Sequence, residues 1–300
     1  MTDTVLAPDA LTDPEHADLP PAVLGSLSPS RAADFKTCPL LYRFRTIDRL
    51  PEAPTRDATR GTLVHAVLEQ LFDRPRAERT LATARALVPE AWQRLRAETP
   101  EVDELFAADD DVDADALAEW LDSAGTLLGN YFSLENPAGF DPEAREQLVE
   151  VVIDGLRLRG YVDRLDRNSA GELRVVDYKT GTTPREAFEA KALFQMKFYA
   201  LVLWRTRGVV PRQLRLMYLA DADTLSYAPD EEELIRFERT LKAIWAAIQR
   251  ATETADFRPS PSRLCDWCDH HSLCPAFGGT PPPFPTEALA AVQTDRRETP

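Results

Sequence analysis

The segment LRLRGYVDRLDRNSAGELRVVDYKT, residues 156–180, predicts two antiparallel β-strands joined by a polar turn. Both ends are rich in Leu, Val and Tyr, whereas NSAGE at 168–172 has the composition of a turn. A five-residue loop there makes Arg167 face Leu173 and fixes the register of the whole hairpin.

In this register two carboxylates and a lysine converge. Asp163 lies directly opposite Asp177, and like charges so placed destabilise a sheet unless a cation separates them. Lys179 is two residues beyond Asp177 and lies on the same face of its strand. An acidic residue, any residue and a lysine occur in that order three times in the chain, so the tripeptide alone says little. Its place in a strand paired with Asp163 is what indicates a cation site.

Outward from this hairpin, the patterns predict a mixed α/β domain. Helices are predicted over 29–39, 41–45, 59–73, 78–98, 113–134, 185–206 and 231–250, and further strands over 148–155 and 213–220. We expect a central mixed sheet flanked by helices, with an N-terminal helical part and a C-terminal Cys-rich segment. Residues 1–25 are predicted to be a disordered acidic tail, 26–277 the folded domain and 278–300 a flexible Pro-rich tail.

The net charge of −15 at first argues against a nucleic-acid partner. Sixteen acidic residues, however, lie in residues 1–25 and 97–122, which contain no Lys or Arg, and the rest of the chain has a net charge of about +1. A polyanionic substrate is therefore compatible with the sequence. The N-terminus has no secretory pattern and no apolar run is long enough to span a membrane, so the cytoplasm is the expected location.

Three of the four cysteines are crowded as Cys265-x₂-Cys268-x₅-Cys274, and the fourth is Cys38. Thiolates at this spacing select zinc or an iron–sulfur centre. For zinc, His270 and His271 are available as further ligands.

Four strings resemble the motifs of RecB-type nucleases of the PD-(D/E)XK superfamily, in that family's order: RGTLVH at 60–65, GYVDRLD at 160–166, VVDYKTG at 175–181 and QMKFY at 195–199. The resemblance implies a restriction-endonuclease-like core. It also implies roles for six residues: Asp163, Asp177 and His65 as metal ligands, Lys179 as the catalytic lysine, and Gln195 and Tyr199 as its partners near the substrate phosphate. Glu150 matches a further metal-assisting position only loosely.

The cysteine layout is similar to that of a subset of the family, which includes CRISPR-adaptation and AddB-type nucleases. For Cys38, Cys265, Cys268 and Cys274 this implies a [4Fe-4S] cluster that acts as a structural staple beside the DNA path, with zinc as the alternative.

These resemblances imply a metal-dependent DNA exonuclease, using Mg²⁺ or Mn²⁺ on single-stranded ends, in DNA repair or recombination or in CRISPR adaptation. The alternative is a catalytically silent nuclease-like module that binds DNA or a partner protein. No G-x-x-x-x-G-K-[ST] motif is present, so we expect unwinding to come from a partner such as a helicase or another repair protein.

Overall fold

A six-stranded mixed sheet forms the middle layer of the fold in the computed structural model, which describes residues 25–108, 111–183 and 186–285. In chain order the elements are β1 (Ser26–Leu27), α1 (Pro29–Thr37), α2 (Pro39–Tyr42, continued by a π-helical turn over Arg43–Ile47), α3 (Arg56–Leu71), α4 (Leu81–Glu98), β2 (Ala107–Ala108), β3 (Asp111–Val112), α5 (Ala114–Leu134), β4 (Ala144–Ile153), β5 (Leu156–Arg167), β6 (Leu173–Lys179), α6 (Glu186–Arg207), β7 (Gln213–Tyr218), β8 (Asp223–Tyr227) and α7 (Glu231–Thr254). Short 3₁₀ turns follow over Arg263–Trp267, His271–Leu273 and Pro275–Phe277.

The predicted hairpin register is confirmed. Arg167 pairs with Leu173, and the antiparallel ladder between β5 and β6 continues to Arg164 and Val176. The ladder ends there, one step before Asp163 and Asp177. β4 pairs with β5 on its other edge, β7 lies parallel to β6, and β8 is an edge strand that the sequence analysis did not predict. The expected central mixed sheet flanked by helices is therefore confirmed.

Each face of the sheet buries its own core. On β6, Leu173 and Val175 belong to the cluster formed with α6 and α7, whereas Val176 and Tyr178 belong to the cluster formed with α3, α4 and α5. This alternation is the period of two expected for a strand that is covered on both faces.

The C-terminal segment begins with residues that pack on the domain. The ring of Phe284 stacks on Phe257 at 5.9 Å between centroids, and the Arg43 guanidinium lies 5.3 Å from the Phe284 ring. Arg43 also donates a hydrogen bond to the Pro282 carbonyl. Within the predicted flexible tail, residues 278–285 thus include anchored positions, while 286–300 lie outside the described residues. The predicted acidic tail lies outside them too, apart from Gly25.

In the described part of the chain, no helix is both long and apolar enough to cross a membrane.

A fully buried arginine joins the sheet to the helical layer of α5. Arg164 is 0 % exposed, forms a two-pronged pair with Glu135 and donates to the Tyr178 hydroxyl at 2.6 Å. Its Nε lies 3.0 Å from Asp166. A buried charge of this kind is tolerated only with carboxylates of opposite charge beside it.

We therefore expect Arg164→Met to lower the free energy of unfolding by about 3–5 kcal/mol, because it leaves the Glu135 carboxylate buried without its main partner. Urea denaturation measures this. The control is Arg236→Met on α7, whose side chain is 62 % exposed and which should change stability by less than about 0.5 kcal/mol. Equal effects of the two substitutions would contradict the interpretation.

Candidate active site

Three potential ligands from three elements meet beside the interior of β5. They are His65 on α3, Glu146 on β4 and Asp163 on β5, and one ligand atom from each lies within 4.8 Å of the others. The His65 Nδ1 atom is 3.7 Å from Glu146 Oε1 and 3.6 Å from Asp163 Oδ2. One nitrogen and two carboxylate groups form a donor set suited to a divalent cation.

The main chain of Tyr178 orients two of these ligands. Its carbonyl accepts a hydrogen bond from His65 Nε2 at 2.9 Å, and its N–H donates to Asp163 Oδ2 at 2.7 Å. Because a carbonyl only accepts, Nε2 must carry a proton, and Nδ1, which faces the carboxylates, is the ring nitrogen that can bind a cation once it has lost its own proton. Within the described residues, His65 Nδ1 and Glu146 Oε2 are buried without a hydrogen-bond partner. Such orphaned atoms fit a bound cation.

Sequence reasoning missed Glu146. Its φ of 40° is left-handed, a strained conformation for a residue other than glycine within a strand, and the ladder skips this position. The flanking pairs, Arg145 with Arg164 and Gln147 with Val162, place Glu146 across from Asp163. β4 begins at Ala144, before the predicted start at 148, so Glu146 was left outside the sheet.

Glu150, the loosely matched candidate, does not reach this cluster. It forms an ion pair with Arg157 on the exposed part of the hairpin. That suggestion is therefore wrong, and the second carboxylate of the cluster is that of Glu146.

The lysine of the predicted constellation is held by two groups. Lys179 Nζ lies 2.8 Å from Asp177 Oδ2 and donates to Gln195 Oε1, also at 2.8 Å. Gln195 Nε2 in turn donates to the Tyr199 hydroxyl at 3.2 Å. The structure thus brings the predicted strand and helix residues into one hydrogen-bonded chain.

Gly160 makes room for this chain. A Cβ atom at position 160 would lie 2.9 Å from Tyr199 Cε1 and 3.4 Å from Pro29 Cδ. The first distance is below the range of ordinary contacts. Only glycine lets the Tyr199 ring lie directly against β5.

Burial and mutual charge shift the pKa values at the site. Burial raises the pKa of Asp177 to about 6 against the opposing effect of Lys179, and burial also raises the pKa of Asp163. For His65, burial lowers the pKa, but the negative charges of Asp163 and Glu146 outweigh it and raise the pKa to about 9. Without a cation the imidazolium balances the buried carboxylates, so cation and proton compete for the same place.

The four cysteines line one cavity, with Cys38 brought to the late trio from 227 positions upstream. All four are free thiols. Backbone N–H groups of Ser260 and Ser262 donate to Cys38 Sγ at 3.4 Å and to Cys265 Sγ at 3.3 Å. The cavity therefore presents four sulfurs in a setting that already donates hydrogen bonds to them.

No three of the four sulfurs lie as close together as the ligands of one zinc ion do. Zn–S bonds of about 2.3 Å place tetrahedral sulfur ligands about 3.8 Å apart. Among the described residues, His65, Glu146 and Asp163 are the only three His, Cys, Asp or Glu ligands within 4.8 Å of one another, so no three of the sulfurs are that close. Of the two histidines considered as zinc ligands, His270 is buried, with Nε2 2.9 Å from Glu52.

Comparison with known proteins identifies the family. The model of the PD-(D/E)XK nuclease superfamily matches residues 26–275. The gene 69 protein of Mycobacterium phage D29 is 26 % identical over 287 residues, covering 83 % of this chain and 96 % of that protein. The gene 69 protein of Mycobacterium phage L5 is 29 % identical over 130 residues, 42 % of each chain.

A solved structure shares the fold. It is a Eubacterium rectale protein described as a candidate exonuclease, with a TM-score of 0.57, 12 % identity, and coverage of 86 % of this chain and 92 % of that one. At this identity the similarity concerns the architecture alone.

We expect cation binding to release about one proton at pH 7, because the metal-free site keeps His65 protonated. Affinity for Mn²⁺ should therefore rise about tenfold per pH unit between pH 6.5 and 8, below the His65 pKa of about 9. Titration calorimetry in buffers of different ionisation enthalpy measures both effects. His65→Asn should abolish the proton release, and a release unchanged in that variant would contradict the assignment.

Proposed function

Because the chain belongs to the PD-(D/E)XK nuclease superfamily, we propose that it is a divalent-cation-dependent deoxyribonuclease that acts as an exonuclease on single-stranded DNA ends. The observation that carries the proposal is the position of Lys179. Its ammonium group is fixed between Asp177 and Gln195, on the strand whose Tyr178 orients His65 and Asp163.

The residues present fit a divalent cation, Mg²⁺ or Mn²⁺. His65 Nδ1 and the carboxylates of Glu146, Asp163 and Asp177 would hold it. Hard carboxylate oxygens with one imidazole suit these ions. When bound, the cation lowers the pKa of a coordinated water and polarises a phosphodiester oxygen.

Lys179 acts on the scissile phosphate. A water oxygen adds to phosphorus and the water gives up a proton to solvent, while the bond to the leaving oxygen breaks and that oxygen takes up a proton from solvent. The ammonium group is a fixed positive charge that stabilises the negative charge growing on the phosphate oxygens, and it can also orient the attacking water. Its two acceptors keep it in place before the substrate arrives, which lowers the cost of reorganisation.

Gln195 and Tyr199 position that lysine. Gln195 accepts a hydrogen bond from the ammonium group and donates one to the Tyr199 hydroxyl, so its own orientation is fixed at both ends. Tyr199 is 2 % exposed and packs against Gly160. The chain from lysine to tyrosine is therefore anchored on β5, the strand that carries Asp163.

A single-stranded substrate is favoured because these 300 residues contain no phosphate-binding loop of a helicase motor. The enzyme then takes single strands directly or follows a partner that unwinds the duplex. DNA repair or recombination and CRISPR adaptation both supply such ends.

End-labelled single-stranded DNA incubated with Mn²⁺ or Mg²⁺ tests the proposal, using protein purified without oxygen. We expect the wild type to cleave and Lys179→Ala to lose at least about a hundredfold in rate, because the lysine charge is needed in the transition state. Lys242→Ala, at a surface ion pair on α7, is the control and should cleave normally.

The label pattern gives the direction of cleavage. Binding without cleavage of single-stranded, duplex and flapped DNA by fully loaded wild type would contradict the enzyme and favour the binding module.

We further propose that Cys38, Cys265, Cys268 and Cys274 hold a [4Fe-4S] cluster. The support is the shared cavity, the free thiols, and the backbone N–H groups that donate to two of the sulfurs. The cluster would connect the end of α1 to the C-terminal segment and close a loop of more than two hundred residues, which stabilises the domain.

Anaerobically purified protein should contain about four iron and four sulfide per chain. Cys268→Ala should lose the cluster and lower the melting temperature, because α1 is then no longer linked to the C-terminal segment. Ser272→Ala in the same segment should change neither the cluster content nor the melting temperature. Stoichiometric zinc without iron, or full thermal stability and DNA binding in Cys268→Ala, would overturn this role.

A further inference from the structure

One face of the β4–β5 hairpin is open along its outer half. Leu148, Glu150 and Val152 of β4 lie on it, opposite Tyr161, Arg159 and Arg157 of β5. Leu148 is 42 % and Val152 53 % exposed, whereas the alternate residues Val149 and Leu158 are buried in the core shared with α6 and α7. Among the residues that the structure describes, the sheet is thus covered on one side here and uncovered on the other.

This open face is continuous with the candidate active site. Leu148 and Tyr161 pair two residues along the ladder from the place where Glu146 lies across from Asp163. Six residues separate Asp163 from Arg157, so the face extends about 20 Å away from the ligands.

The chemistry changes along the face in an order that suits one ligand. The aromatic ring of Tyr161 and the apolar Leu148 come first, beside the site. Arg159 and Arg157 follow, with Glu150 as the acidic residue between them: it pairs with Arg157 and lies 4.0 Å from Arg159.

A further cation lies at the far end. Ser26 of β1 pairs with Arg157, and Arg31 Nη1 donates to the Ser26 hydroxyl at 3.0 Å. The face therefore ends in an excess of positive charge, in a chain whose net charge is −15. Such an excess attracts a polyanion.

We infer that this face binds the single strand of DNA that leads into the active site, with Tyr161 stacking on a base next to the scissile phosphate and Arg159 and Arg157 contacting the phosphates beyond. The inference rests on the proposed nuclease function and names how its substrate is held. Stacking requires an unpaired base, and an aromatic ring followed by a basic track is the usual arrangement in proteins that bind single strands without sequence preference.

Binding is measured by fluorescence anisotropy of a labelled oligothymidine of about twelve nucleotides, with EDTA present so that no cleavage occurs. Tyr161→Ala should raise the Kd about 5- to 100-fold, whereas Tyr161→Phe, which keeps the ring, should stay within about threefold of the wild type. The double variant Arg157→Gln/Arg159→Gln should lower the slope of log Kd against log salt by about 1.4. Arg236→Gln, exposed on α7, is the control.

A second readout separates this inference from the nuclease proposal. Bis(p-nitrophenyl) phosphate is a small phosphodiester that occupies the reacting centre and does not extend along the open face. Its Mn²⁺-dependent hydrolysis should therefore be unchanged in the Tyr161 and arginine variants. Failure of the wild type to hydrolyse any diester would contradict the nuclease function, while the binding data still test the face.

Unchanged DNA affinity and salt slope in these variants would overturn the inference. A shift in oligomeric state on Leu148→Asp, with DNA affinity intact, would assign the face to a second copy of the chain and overturn it equally.

Discussion

The hydrogen bonds at the main chain of Tyr178 are the interaction on which the candidate site depends. Its N–H fixes Asp163 and its carbonyl fixes His65, while the neighbouring residues Asp177 and Lys179 supply a carboxylate and the ammonium group. One stretch of β6 therefore sets the positions of ligands from two other parts of the chain. The Tyr178 hydroxyl is bonded to the buried Arg164, so the same residue ties the site to the helical layer. A strand buried on both faces is rigid enough to hold such a geometry without a ligand.

The hairpin register could be predicted because a polar loop of defined length fixes the pairing of its strands. That register brought Asp163 towards the end of β6 that carries Asp177 and Lys179.

Glu146 was missed because the residues around it lack the apolar alternation that marks the rest of β4. A signal was nevertheless present: Asp154 and Gly155 form a two-residue turn in which both φ values are positive, and such a turn fixes the β4–β5 register. Extending that register leads from Ile153 opposite Leu156 back to the position across from Asp163. The left-handed backbone of Glu146 could not be predicted, because it reflects the demands of the assembled site.

The site and the cysteine cavity are connected through one short helix. The first residue of α1, Pro29, lies against the position of Gly160 and Tyr199, and Cys38 follows its last residue. Nine residues of helix span about 14 Å. The sequence indicated that Cys38 belongs with the late trio through family resemblance, but the spacing of the sulfurs depends on how α1 packs on α6 and α7, which no local pattern contains. A centre that fixes Cys38 would therefore also restrain the helix beside Tyr199 and so link the C-terminal segment to Lys179.

Anomalous diffraction at the manganese edge, from crystals of the full chain soaked in Mn²⁺, tests whether a cation site is built around Tyr178. We expect one strong peak between the side chains of His65, Glu146 and Asp163, about 2.0–2.4 Å from His65 Nδ1 and from a carboxylate oxygen of Asp163. The peak should lie on the Nδ1 side of the imidazole, because Nε2 is bonded to the Tyr178 carbonyl. A fully occupied manganese elsewhere, with these three side chains unliganded, would contradict it.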